Sequence, residues 1–126
     1  MTIYCVECGQ NTNAKLTNGK EIYPHRQDLY ALPFWKCPRC SNYVGCHKKS
    51  KNRPLGVIPN KEIKKARMLI HELVDPLWKS GCVSRGKLYG KISNELGYQY
   101  HTANIKSIDE ARKIYTIILK IKNNYV

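Results

Sequence analysis

The chain has 126 residues and a formal charge of +13, with 25% of its residues charged and 42% hydrophobic. This length fits one domain, or a small domain with a metal-stapled appendage, and no apolar run approaches the roughly 18 residues of a membrane span. Met1-Thr2-Ile3-Tyr4 opens no signal-peptide core, so a soluble chain with reduced thiols is expected rather than a disulfide framework.

Cys5-Val6-Glu7-Cys8-Gly9 and Cys37-Pro38-Arg39-Cys40 are two Cys-x-x-Cys knuckles. Each puts two thiolates on one tight turn where backbone N–H groups can face the sulfurs, and two such turns close a tetrahedron around Zn²⁺. Cys5, Cys8, Cys37 and Cys40 are therefore expected to hold one structural Zn²⁺ with no open position. Cys46 or His47 could replace a ligand, but two intact knuckles favour the four-cysteine set.

Between the knuckles, Asn18-Gly19 flanked by short alternating segments predicts a two-residue type I′ hairpin. Phe34-Trp35-Lys36 and Ser41–Gly45 predict a second pair of strands. Residues 1–46 thus read as a zinc ribbon. Tyr4, Tyr23, Phe34 and Trp35 are expected to cover the metal, the sharper alternative being an aromatic platform for nucleic acid.

Residues 47–59 follow as a basic connector, broken by Pro54, Gly56 and Pro59. Residues 60–126 read as a helical region. Asn60 is expected to cap a helix from about Lys61 to Trp78, with an apolar stripe of Ile63, Ala66, Ile70, Leu73, Val74 and Leu77. Pro76 should kink or tighten its last turn and Gly81 should end it. A second helix is expected from near Ser84 to Gly97, carrying Leu88, Tyr89, Ile92 and Leu96. The third has a capping box at Ser107–Glu110 and a face of Ile108, Ala111, Ile114, Tyr115, Ile118 and Ile121. The predicted fold is α+β: an N-terminal Cys₄ zinc ribbon of short β-hairpins packed on a C-terminal three-helix region.

Residues 47–67 hold Lys48, Lys49, Lys51, Arg53, Lys61, Lys64, Lys65 and Arg67 against Glu62 alone. Such a field attracts polyanions, and these eight are the candidate partner- or nucleic-acid-binding residues. His71 and Asp75 share a helix face and read as a surface hydrogen bond or buried pair rather than a catalytic cluster. There is no nucleophile elbow, phosphate-binding glycine loop or paired acidic site, so neither catalysis nor a small-molecule substrate is expected. Arg85–Gly97 has the pattern of a positioning helix, which would start a recognition helix within Tyr98–Asn104; the Ser107 capping box argues for a later start. Cys82 is expected to be a packed thiol, and His25 and His101 to lie in loops.

The run Tyr43-Val44-Gly45-Cys46-His47, then Arg53-Pro54-Leu55-Gly56, then Ala66-Arg67, His71 and Asp75-Pro76-Leu77-Trp78 resembles a phage and prophage family of small zinc-finger-containing proteins. The resemblance extends through Tyr89, Leu96-Gly97, His101 and Ile108. It implies a Cys₄ ribbon followed by helices, with His47, His71, Asp75 and Trp78 at one ribbon–helix junction, in a host bacterial cytoplasm. The function expected is counter-defence: binding and inhibiting an RNA-guided CRISPR type II effector nuclease by blocking target-DNA loading. That anti-CRISPR expectation rests on the plausibility of the class. The alternative is a DNA- or RNA-binding accessory factor for phage replication, recombination or transcription.

Overall fold

Each cysteine knuckle is the tip of a hairpin. β1 (Thr2–Cys5) pairs antiparallel with β2 (Gln10–Asn13) across the first knuckle. β4 (Pro33–Lys36) pairs antiparallel with β5 (Tyr43–Gly45) across the second, and β3 (Lys15–Asn18) adds to the other edge of β4. The computed structural model describes residues 1–124. They fall into two compact units, Met1–Asn60 and the part from Lys61 onward. The α+β class holds: antiparallel strands with the cysteine cluster come first and helices follow.

Asn18-Gly19 does not make the expected hairpin turn. Asn18 instead caps a single helical turn, α1 (Gly19–Ile22), its side chain accepting from the Glu21 N–H at 3.2 Å. Gly19 has no positive φ, which a type I′ turn would require. Its lack of a side chain serves a close approach, because a Cβ there would sit 1.7 Å from the Leu29 carbonyl oxygen. β3 therefore finds its partner only after residues 19–32 have looped out, with Asn18 opposite Pro33.

Strand alternation separates Phe34 from Trp35. Trp35 pairs with Val44 and packs on the core of Ile3, Cys5, Ala14, Cys37, Val44 and Ile58. Phe34 instead joins Tyr23 and Tyr43 in a set of edge-to-face rings with centroids 5.6–5.8 Å apart, tied by a 2.6 Å bond between the two tyrosine hydroxyls. Of the aromatic residues expected to cover the metal, only Trp35 belongs to that cluster.

Residues 47–59 are part of the first unit. Ile58, fully buried, runs parallel to β1: its N–H donates to the Tyr4 carbonyl at 2.8 Å, and its carbonyl accepts from Val6 at 3.0 Å. Two prolines and a glycine forbid a regular element here but not a strand-like return.

The second unit holds α2 (Lys61–Lys79), α3 (Arg85–Leu96) and α4 (Ile108–Lys122), with α4 packed against both of the others. Its core is Ile63, Ile70, Val74, Leu77, Leu88, Ile92, Leu96, Ile105, Ala111, Ile114, Ile118 and Ile121. α2 continues through Pro76 to Lys79, and Gly81, at φ 84°, turns the chain away. Ser84 and Ser107 cap α3 and α4, and Gly97 ends α3 in the left-handed conformation. No recognition helix starts within Tyr98–Asn104. A short 3₁₀ turn at Thr102–Asn104 intervenes and α4 begins only at Ile108, where the Ser107 hydroxyl accepts from Glu110 at 3.1 Å. Cys82, expected to be packed, is exposed in the tight turn beyond Gly81.

Candidate metal centre

The sulfurs of Cys5, Cys8, Cys37 and Cys40 all lie within 4.8 Å of one another. Cys5 and Cys40 are 3.4 Å apart, and Cys8 and Cys37 are 3.8 Å apart. Tetrahedral Zn–S bonds of about 2.3 Å require sulfurs about 3.8 Å apart, so the donor set fits Zn²⁺ in geometry and in softness. Four thiolates leave no position for substrate, which makes this a single structural zinc site. Cys46 is half-buried outside the cluster, and His47 is exposed.

The two knuckles repeat one local design. Gly9 (φ 67°) and Ser41 (φ 66°) each follow the second cysteine of a pair, and each donates its N–H to the carbonyl of the first, at 2.9 and 3.1 Å. The electrostatics of the paired first cysteines differ. Burial pushes the Cys5 thiol up to about 12, against a backbone N–H from Cys8. At Cys37 burial acts the same way, but the Cys40 and Arg39 N–H groups and the buried Thr12 hydroxyl outweigh it and hold the thiol at about 6. A cation amid the four sulfurs removes the remaining cost of buried thiolates. Thr12 carries no sequence signal beyond its place on a strand opposite Ile3.

The second knuckle leads straight into the basic segment. Cys46 bridges to Pro54, and His47 donates its N–H to Arg53 at 2.9 Å, closing residues 47–53 into a loop. The Trp35 indole donates to the Asn52 carbonyl at 2.8 Å, fixing the loop to the sheet that carries the second knuckle. Lys48, Lys49, Lys51 and Arg53 are exposed on it, and among the described residues none of the four forms an ion pair with a carboxylate.

The other four candidate cations lie on α2. Lys61, Lys64 and Lys65 are exposed near its start. Arg67 is drawn inward, donating to the carbonyls of Ala103 and Ile105 at 2.7 and 3.3 Å, and burial lowers its pKa to about 10. It holds the 3₁₀ turn on α2 and so is structural.

His71, Asp75 and Trp78 do come together on α2. Asp75 Oδ1 accepts the Trp78 indole N–H at 3.2 Å and lies 3.4 Å from His71 Nδ1. His47 belongs to the other unit. A cation and two further rings, unmarked by any motif in the sequence, adjoin this trio. The Arg85 guanidinium lies 4.7 Å from the Tyr89 ring centroid and 5.8 Å from that of Trp78. The Tyr89 and Tyr100 rings are tilted 56° to one another with centroids 5.0 Å apart, and the Tyr89 hydroxyl is buried with no hydrogen-bond partner among the described residues. The i, i+4 spacing of Arg85 and Tyr89 was the available signal.

An apolar depression of about 440 Å³ lies between α2 and α4 over Ala66, Leu69, Ile70, Ile108, Ala111 and Tyr115. No helix among the described residues is long and apolar enough to cross a membrane.

The model of a family described as a zinc-finger-containing domain matches residues 1–124. No curated protein and no solved structure matches the chain.

Proposed function

The chain belongs to this zinc-finger-containing family, and from that premise we propose that it is a binding protein whose partner is a nucleic-acid phosphate backbone, free or carried in a nucleoprotein. The observation that carries this reading is the loop 47–53. It presents Lys48, Lys49, Lys51 and Arg53 to solvent with no carboxylate partner among the described residues. The Trp35–Asn52 bond and the zinc knuckle hold the loop in place, so less ordering entropy is lost on binding. Phosphate contacts of this kind position a protein on nucleic acid without reading sequence.

A binding role, not catalysis, also suits the rest of the molecule. The metal has only thiolate ligands, and the Asp75 carboxylate is already engaged by Trp78 and His71.

The test is binding of labelled DNA and RNA across a salt series, for the native chain and for Lys48→Glu/Lys49→Glu/Lys51→Glu. The native chain should bind with affinity falling steeply as salt rises. The triple variant should keep its zinc and its melting temperature and lose binding. Unchanged binding in that variant would return the loop to ordinary solvated surface. In its narrower form, which rests on the plausibility of that class for a small basic phage protein, the nucleoprotein is a host RNA-guided CRISPR type II effector nuclease. Co-elution with that effector and inhibition of its cleavage are then expected. Binding to naked nucleic acid alone would select the replication, recombination or transcription factor instead.

A further inference from the structure

We propose that Trp78, flanked by Lys79 and Arg85, is a stacking subsite for one unpaired nucleotide. The proposal rests on the phosphate-backbone reading and adds a preference for single strands over duplex.

Four of the other large aromatic side chains are already used by the fold of the first unit. Trp35 packs on the cysteine cluster and spends its N–H on Asn52. Tyr23, Phe34 and Tyr43 pack edge-to-face on one another. Trp78 differs. It is half-buried, its indole edge is fixed by the 3.2 Å bond to Asp75, and two cations lie by its ring. The Lys79 ammonium lies 5.6 Å from the ring centroid and the Arg85 guanidinium 5.8 Å. Among the described residues neither cation forms an ion pair with a carboxylate.

An oriented ring beside two cations without carboxylate partners is the pairing of features that single-strand sites use: the aromatic face stacks a base and the cations take the adjoining phosphates. Lys79 ends α2 on a flexible stem, so an arriving base can displace its ammonium from the ring toward a phosphate. Arg85 is held more firmly, because its guanidinium also lies over Tyr89. Asp75, the carboxylate of the cluster, is committed to Trp78 and His71. Bases in a duplex show their edges and not their faces, so duplex cannot use this ring.

The experiment measures anisotropy of a labelled oligothymidylate and of a labelled duplex of equal length, at one fixed salt concentration. Trp78→Leu should weaken oligothymidylate binding about 5- to 150-fold and leave duplex binding unchanged. Trp78→Phe, which restores a ring, should recover most of the loss. Arg85→Gln, at an exposed position, should weaken the single strand selectively even if Trp78→Leu folds poorly by circular dichroism. The Lys48/Lys49/Lys51 reversal should weaken both probes. Equal losses on both probes in folded Trp78→Leu and Arg85→Gln, or no loss on either, would overturn the subsite alone. If the native chain binds neither probe, the phosphate-backbone reading falls and the subsite with it.

Discussion

The Trp35 indole N–H and the Asn52 carbonyl, 2.8 Å apart, join the inner face of β4 to the tip of the basic loop. Asn52 sits at φ 58°, a left-handed conformation that asparagine tolerates better than most residues. The ring that packs against the cysteine cluster therefore also sets the path of the loop.

Trp35→Phe should keep the zinc and destabilise the chain by about 1–2 kcal/mol, from the lost hydrogen bond and part of the ring. Amide exchange at His47 and Arg53 should accelerate selectively, measured by hydrogen–deuterium exchange. Unchanged exchange there would mean that the loop holds its path without the indole.

Zinc removal should act on one unit. All four ligands lie within Met1–Asn60, whereas the helices from Lys61 onward have their own apolar core. A strong chelator should erase the dispersed strand signals in an NMR spectrum and leave most of the helical ellipticity at 222 nm. Cys5→Ser and Cys37→Ser should each bind less than one equivalent of zinc, counted with a colorimetric chelator.

Glycines should divide by location. Gly19→Ala would drive a methyl into the Leu29 carbonyl and should cost about 3 kcal/mol or more. Gly86 and Gly90 lie inside α3 with nothing near an added Cβ, so alanine at each should stabilise by about 0.5–1 kcal/mol. Thermal melts of the three variants check the order.

Alkaline pH should loosen the second unit through Tyr98 and Tyr100. The hydrogen bond to Glu110 raises the Tyr98 phenol to about 12, and burial raises Tyr100 to about 12. An unfolded tyrosine ionises near 10, so the folded chain holds these protons longer. Their contribution is complete below pH 10 and is lost as pH rises through 12. Tyr98→Phe should flatten part of that decline, followed by helical ellipticity against pH.

What the sequence revealed was chemistry confined to a few neighbouring residues. Ser84, Gly97 and Ser107 mark helix ends because capping is a local exchange of hydrogen bonds. The cysteine pairs announced the zinc because metal spacing is rigid. Asn18-Gly19 misled because the same two residues suit either a tight hairpin or a capped helical turn, and a carbonyl from Leu29 decided between them. The return of Ile58 to β1 and the Thr12 hydroxyl at Cys37 join residues distant in sequence by packing, which leaves no periodic trace.

The bridge between Cys5 and Ile58 has a consequence for biosynthesis. A nascent chain has all four thiols once Cys40 has left the ribosome, and it can chelate the ion then. The strand carrying Cys5 still lacks its neighbour until Ile58 emerges, and until then Ile3, Ala14 and Val44 lack part of their cover. The chain can thus hold its metal before its core is closed, and the lysine-rich loop is threaded between the two events.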